Sequence, residues 1–259
     1  MSGLSWLQAY AWGLAASTLL AFATWVVSVP KRDVSIVDCM WPLLILAPAL
    51  LALLLLPPGP RAPWLLALVA AWALRLAVYI GIRNHGQPED RRYQAIRQRN
   101  QPGFTWKSLY LVFALQAVLG WIVSMPVVAA MASETGMGWL DAAGAVIILF
   151  GLAFESVGDW QLARFKRDSA HHGKVMDRGL WRYTRHPNYF GECCVWWGAY
   201  LAALSAGAWW SVLSPILMTV MLLKVSGVAL LEKDIAERRP QYRDYVARTS
   251  AFIPWRPKP

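Results

Sequence analysis

The chain has 259 residues, of which 57% are hydrophobic and only 15% are charged. A soluble domain carries about 25% charged residues, and here the apolar residues come in long runs. The composition therefore excludes an ordinary soluble protein and indicates several membrane spans. The net charge is +10, and the three cysteines all lie in apolar runs without zinc-ligand spacing. We expect buried free thiols and no metal site.

Seven apolar runs approach or exceed the roughly 20 residues that a spanning helix needs. In chain order they cover residues 4–29, 36–56, 63–82, 109–131, 140–160, 189–204 and 209–231. The segment "PPGP" ends the second run, and Pro126 predicts a kink in the fourth. The first run lacks the basic start of a signal peptide, so we interpret it as a retained helix. The predicted fold is an all-α integral membrane protein with seven transmembrane helices.

Lysine and arginine divide the predicted loops into two classes. The loops after the first, third and fifth runs and the tail contain many of them, whereas the other loops contain only Arg61. Positively charged loops stay in the cytoplasm, so the N-terminus is expected outside and the C-terminus in the cytoplasm. We expect one membrane domain over residues 1–259, with a cytoplasmic tail from about residue 232.

Polar side chains collect at the cytoplasmic end of the third run. Arg75, Tyr79 and Arg83 are spaced by four residues and share a helix face, and Asn84 follows them. An arginine inside a span normally faces the bundle interior or a wet cavity. Snorkelling of Arg75 to the interface is the alternative.

Further carboxylates lie in or near other runs. Glu155 and Asp159 are one turn apart in the fifth run, and Lys166 follows. Asp38 stands alone just inside the second run. An ionisable residue in a span suggests a functional site, although an ion pair with a neighbouring arginine, or a position near the headgroups for Asp38, is the structural alternative.

The densest polar stretch is "RGLWRYTRHPNYFGE", residues 178–192. Pro187 suits a first helical turn, so we expect the sixth helix to begin there. A helix N-terminus flanked by Arg182 and Arg185 is a favourable anion site. Asn188 and Glu192 are one turn apart and share a face, where a carboxylate accepts from an amide or a ribose hydroxyl.

Several of these motifs together resemble the steroid 5-alpha-reductase family, in particular its bacterial members. The motifs are "DRGLWRYTRHPNYFGE", "RNHGQPEDRRY", the Asp159 and Lys166 group, and the tail "LEKD…RTSAFIPW". The resemblance covers most of the chain. It implies a seven-helix oxidoreductase of the bacterial inner membrane that holds NADPH at the cytoplasmic side. It also implies hydride transfer to the C=C bond of a 3-oxo-delta-4 steroid.

The resemblance and the polar groups above give the predicted site. The predicted catalytic residues are Asp38, Trp72 and Tyr79. The predicted cofactor-binding residues are Arg75, Arg83, Asn84, Glu155, Asp159, Lys166, Arg182, Tyr183, Arg185, His186, Asn188, Tyr189, Glu192, Glu232 and Asp234. Of these, Asn188, Glu192 and Asp159 match the family's cofactor-binding Asn, Glu and Asp by motif.

The chain departs from the family pattern at four positions. Lys166 replaces an arginine, and Glu155 replaces the asparagine of mammalian members. Asp38 falls approximately where those members have a substrate-facing glutamate, and Trp72 where they have a tyrosine that contacts the steroid ketone. Hydride addition to an enone builds negative charge on the ketone oxygen, which a donor must stabilise. We expect a protonated Asp38 to donate there, assisted by the Trp72 indole N–H.

Two other functions stay open from the sequence. The motif R-H-P-x-Y-x-G-E also resembles membrane isoprenylcysteine carboxyl methyltransferases, which use S-adenosylmethionine, although basic loops suit a phosphate-bearing cofactor better. A non-catalytic lipid-binding or transport protein is the third reading. The expected partners are membrane lipids and an apolar steroid-like substrate that enters from the bilayer. We expect no nucleic-acid partner, and a monomer.

Overall fold

The computed structural model describes residues 4–225 and 241–258. These residues form helices and loops and contain no strand. Five helices are long and apolar enough to cross a bilayer, and this fits an integral membrane protein. They are α1 (Trp6–Lys31), α2 (Ile36–Leu55), α3 (Ala62–Asn84), α5 (Phe104–Met131) and α6 (Trp139–Arg167).

The remaining described helices are shorter or more polar. They are α4 (Arg91–Arg99), α7 (Pro187–Ser205), α8 (Leu213–Val220) and α9 (Tyr242–Arg248). A 3₁₀ turn precedes α8, and a π-helical stretch continues it to Val225, where the first described segment ends. The predicted seventh run extends beyond this point, so its last residues lie outside the described ones. The count of seven spans and the outside position of the N-terminus stay predictions.

Most predicted helix boundaries agree with the structure to within two residues. Two boundaries differ by more. Helix α5 begins at Phe104, five residues before the predicted start at residue 109, and α6 continues to Arg167 instead of ending near residue 160. Residues 161–167 include four polar or charged side chains but are mostly good helix formers, so the helix continues after its apolar part ends. Helix α4 was not predicted. Its N-cap Asp90 accepts a hydrogen bond from the backbone N–H of Arg92, and this cap starts the helix.

The contacts divide the described residues into two compact units. Unit 1 covers residues up to Leu140 together with Ala202–Ser211. In unit 1, α1 packs closely against α2, since a Cβ on Gly13 would lie 2.7 Å from the Pro48 Cβ. The Ser17 hydroxyl donates to the Leu44 carbonyl on the same interface, at 2.8 Å. Unit 2 covers Asp141–Leu201 and the residues from Val212 onward.

Arg61 is the basic residue that departs from the predicted distribution of charge among the loops, and its contacts within unit 1 account for its position. The side chain is completely buried. Its guanidinium donates to the carbonyl oxygens of Thr135 and Gly136, at 2.7 and 2.8 Å, and to the Ser205 hydroxyl at 3.1 Å. Arg61 therefore ties the loop before α3 to the loop after α5. Its guanidinium forms hydrogen bonds in the protein interior and does not contribute a surface charge to that loop.

Candidate functional site

Helices α6 and α7 approach each other through glycines in unit 2. Gly144, Gly151 and Gly158 on α6 are spaced by seven residues, as are Gly191 and Gly198 on α7. A Cβ on Gly191 would lie 2.6 Å from the Gly151 carbonyl oxygen, and one on Gly198 would lie 2.7 Å from that of Gly144. The two backbones therefore touch where only a hydrogen fits, which fixes the register between α6 and α7.

This register brings together polar residues that the sequence analysis placed on separate helices. Glu155 lies against Gly191, because a Cβ on that glycine would be 2.7 Å from the Glu155 Cβ. Gly158 lies against Pro187 and the backbone N of Asn188 in the same way. The face of α6 that carries Glu155 and Asp159 thus meets the first turns of α7, which carry Asn188 and Glu192.

The polar residues at this crossing are buried to a degree unusual for charged groups. Glu155, Asp159 and Glu192 are 1%, 2% and 7% exposed. Arg185 and His186 are also buried. Buried charges are costly unless they are paired or serve a ligand. We call this set of five residues, with Asn188, the α6–α7 polar cluster.

Asn188 gives the cluster its clearest sign of a ligand. Its side-chain oxygen Oδ1 is buried and has no hydrogen-bond partner among the described residues. A buried acceptor without a donor costs about 1–3 kcal/mol. The helix begins at Pro187, as predicted, so Asn188 lies in the first turn of α7, where the helix dipole is positive.

The C-terminal segment folds onto the loop that leads into α7. The Arg185 backbone N–H donates to the Ser250 carbonyl at 2.9 Å, and its guanidinium donates to the Thr249 carbonyl at 2.5 Å. Thr184 Oγ1 donates to the Phe252 carbonyl at 2.8 Å. The described part of the predicted tail is therefore packed against the loop. Both the backbone N–H and the guanidinium of Arg185 therefore hold that segment in place.

Other predicted cofactor residues of unit 2 lie outside the buried cluster. Lys166, Arg182 and Tyr183 are exposed. Tyr189 lies at the edge of the cluster, where its ring stacks on that of His186 with centroids 5.4 Å apart. Glu232 and Asp234 lie outside the described residues.

The predicted residues of α3 belong to unit 1. Trp72 is completely buried. The Arg83 guanidinium lies 6.0 Å from the centre of the Tyr79 ring, and its Nε donates to Asn84 Oδ1 at 3.0 Å. Arg75 is partly buried one turn before Tyr79. The three residues Arg75, Tyr79 and Arg83 therefore follow one helix face, as their spacing predicted, while their roles stay predictions.

Asp38 has partners that the sequence analysis did not identify. Arg92 Nη2 lies 2.5 Å from Asp38 Oδ2, and the Tyr93 hydroxyl donates to Asp38 Oδ1 at 2.5 Å. Gln116 Nε2 in turn donates to the Tyr93 hydroxyl at 3.1 Å. Asp38 therefore accepts hydrogen bonds from both Arg92 and Tyr93. The expected role of Asp38 as a proton donor in the reaction stays a prediction.

The surroundings of α4 shift the pKa values of its side chains Arg92 and Tyr93. Burial raises the pKa of the Tyr93 phenol well above its ordinary value, and the neighbouring Asp38 raises it further. Burial lowers the pKa of Arg92, but the charge of Asp38 and the hydrogen bond to Asp90 outweigh it, and the net shift is upward. The sequence signal for this group was the motif "EDRRY", in which an N-cap aspartate precedes an arginine and a tyrosine.

Comparison with known proteins places the chain in a family. A family model described as "Protein of unknown function (DUF1295)" matches residues 24–249. This family includes steroid 5-alpha-reductase-like membrane proteins. The chain is 27% identical to an uncharacterised protein of Schizosaccharomyces pombe, over 93% of this chain and 78% of that protein. No solved structure matches the chain. Because the family model covers most of its length, the chain belongs to the DUF1295 family.

Proposed function

We propose that the protein is an NADPH-dependent reductase of the bacterial inner membrane, with its cofactor site on the cytoplasmic side. Its substrate is a 3-oxo-delta-4 steroid or a similar apolar enone that enters from the bilayer. The motif resemblance and the presence of steroid 5-alpha-reductase-like proteins in the family support this proposal. The observation that carries it is the α6–α7 polar cluster.

The chemistry of the cluster fits part of a dinucleotide. The carboxamide and ribose hydroxyls of NADPH are hydrogen-bond donors, and carboxylates accept from such groups. Glu155, Asp159 and Glu192 supply buried carboxylates. The buried Asn188 Oδ1 is an acceptor whose donor the described residues do not provide. We assign the binding of the donor groups of NADPH to these four residues.

The remaining groups of the chain have defined tasks in this proposal. NADPH, when bound, supplies the hydride. The glycine contact between α6 and α7 holds the cluster in one register, and its burial excludes water from the reacting groups. The long apolar helices give an apolar substrate a path from the bilayer. Reduction of the C=C bond also consumes one proton, and the predicted donor is Asp38.

One observation favours a second function. The cluster contains three carboxylates, while the Arg185 guanidinium donates to the backbone carbonyls of Val246 and Thr249. An acidic buried site suits a cation, and S-adenosylmethionine carries positive charge on its sulfonium and its ammonium. A methyltransferase that resembles the isoprenylcysteine carboxyl methyltransferases is therefore the second candidate.

Ligand-induced stabilisation separates the two candidates. The full-length protein in detergent is heated with NADPH, with NADH or with S-adenosylmethionine, and the fraction that stays monodisperse is measured. The reductase proposal expects the thermal midpoint to rise with NADPH, because a ligand present at 100 times its Kd stabilises by about 2.7 kcal/mol. A rise only with S-adenosylmethionine would overturn the proposal and support the second candidate.

Two variants connect the cluster with activity. We expect Asn188→Ala and Glu192→Gln to lose the NADPH-induced rise and the NADPH-dependent loss of an enone such as a 3-oxo-delta-4 steroid. The control is Glu134→Gln, an exposed glutamate of unit 1 that undergoes the same charge change. Normal NADPH affinity in both cluster variants, with folding intact, would contradict the assignment.

A further inference from the structure

A basic groove lies on the surface of unit 2, apart from the α6–α7 polar cluster. Its volume is about 580 Å³, and three segments line it: the loop before α7, helix α9 and the last described residues. Four of its lining residues are basic, and one is acidic. The basic ones are Arg178, Arg182, Arg248 and Lys258, and the acidic one is Asp177. The groove therefore has an excess of three positive charges and suits an anion.

Hydrogen bonds hold the three segments together. The Tyr245 hydroxyl donates to the Trp181 carbonyl at 2.5 Å, which joins α9 to the loop. The Lys258 backbone N–H donates to the Arg248 carbonyl at 2.9 Å, which joins the last residues to α9. The Trp181 indole N–H donates to the Gly158 carbonyl at 3.0 Å, which anchors the loop on α6. The cationic side chains thus project from a fixed frame and need little ordering to bind a ligand.

The position of the groove along α6 indicates which anion it meets. A helix of 29 residues is about 43 Å long, longer than the roughly 30 Å hydrocarbon core, so its polar last turns reach the headgroup region. The loop that forms the groove follows this end of α6. Trp160 is 58% exposed near the same end, with the Arg164 guanidinium 5.6 Å from its ring centre. Tryptophan and arginine in this arrangement are typical of the membrane interface.

Exposed apolar residues lie beside the groove on the same C-terminal segment. Ile253 and Trp255 are 63% and 72% exposed. The Trp255 backbone N–H donates to the Tyr183 carbonyl at 2.9 Å, so this apolar edge is fixed to the loop that lines the groove. A cationic groove beside exposed apolar side chains matches a molecule with an anionic head and an acyl chain.

We propose that this groove binds the phosphodiester headgroup of an anionic glycerophospholipid, with Ile253 and Trp255 against its acyl chains. A soluble phosphate would offer the same phosphate oxygens to the basic side chains. The exposed Ile253 and Trp255 beside the groove favour the lipid, because only the lipid also has acyl chains. The inference does not depend on the proposed reductase activity. It assigns the exposed Arg182 to the lipid groove, although the sequence analysis predicted a cofactor role for it.

The test measures lipid retention by the full-length protein in detergent. Phosphatidylglycerol and, separately, phosphatidylcholine are titrated, and bound lipid is counted by native mass spectrometry. The groove variant is Arg178→Gln with Arg248→Gln. The control is Arg167→Gln with Arg243→Gln, which removes two exposed charges of the same unit outside the groove. We expect the groove variant to bind phosphatidylglycerol roughly 30-fold more weakly than the wild type, and the control less than about 3-fold more weakly.

Three results would overturn the proposal. One is equal binding of the two lipids by the wild type, and another is the same loss in the groove and control variants. The third is displacement of phosphatidylglycerol by NADPH or inorganic phosphate, with loss of NADPH binding in the groove variant, since the groove would then serve a soluble phosphate. If the double variant does not fold, Lys258→Gln alone is measured, and about a 5-fold loss is expected.

Discussion

Replacement of Gly191 by alanine tests the contact that assembles the α6–α7 polar cluster. The added Cβ would lie 2.6 Å from the Gly151 carbonyl oxygen and 2.7 Å from the Glu155 backbone N. Both atoms belong to the α6 backbone, so no side chain can rotate away. Reaching an ordinary contact of about 3.4 Å from 2.6 Å requires the two helices to separate by roughly 0.8 Å. Overpacking of this kind costs about 1–3 kcal/mol.

The assay for Gly191→Ala is thermal unfolding of the full-length protein in detergent. For a chain of this size, the expected cost lowers the midpoint by roughly 2–12 °C. The matched control is Gly81→Ala on α3, where an added Cβ meets nothing within 4 Å. Alanine is the better helix former by about 1 kcal/mol, so the control should be neutral or stabilised.

The same variant also tests the link between the contact and the cluster. Separation of α6 from α7 moves Glu155 away from Asn188 and Glu192, so NADPH should stabilise Gly191→Ala less than the wild type. A Gly191→Ala midpoint equal to that of Gly81→Ala would refute the close packing from which the cluster was derived.

The remaining predictions concern stability in unit 1. Arg61→Met leaves the Thr135 and Gly136 carbonyls without their donor, so the free energy of unfolding in denaturant should fall by about 1–3 kcal/mol for each unsatisfied carbonyl. The exposed Arg99→Met should change it by about 0.5 kcal/mol or less. Burial raises the pKa of Asp90, but the hydrogen bonds and charge of Arg92 outweigh burial, and the net shift is downward. The ionised Asp90 therefore stabilises the folded protein above the unfolded pKa of about 3.9, and this stabilisation is lost as pH falls through the folded pKa. Asp90→Asn should flatten the loss of stability below about pH 4. The pKa of Tyr93 is raised in the folded protein. The neutral phenol therefore contributes stability below about pH 10, and this contribution is lost as pH rises through the folded pKa. Tyr93→Phe should lessen alkaline unfolding, whereas the exposed Tyr110→Phe should not. An unchanged pH profile in Asp90→Asn or Tyr93→Phe would contradict the corresponding shift.

Much of the candidate site was accessible from local spacing. Pro187 predicted the start of α7, because a missing N–H costs nothing in a first turn. The four-residue spacings predicted that Glu155 and Asp159 share one face of α6, and that Asn188 and Glu192 share one face of α7. The end of α6 was missed, because the apolar pattern stops at residue 160 although the following residues still favour a helix.

The partners of Asp38 show where local spacing stops being informative. Arg92 and Tyr93 follow Asp38 by 54 and 55 residues. No periodic pattern connects positions so far apart. The helix α4 that carries Arg92 and Tyr93 was also not predicted. Packing of α4 in unit 1 decides which cation and which hydroxyl reach that carboxylate.

By itself, the sequence determined the membrane class, the helical content and the helix faces, because apolar runs, proline positions and i, i+4 spacings act within one helix. Tertiary structure alone decided the register of α6 on α7, the burial of Arg61 and the acceptor role of Asp38. These depend on close backbone approach and on directional hydrogen bonds between residues far apart in the chain. Such contacts form only when packing brings the two backbones within a few ångströms of each other.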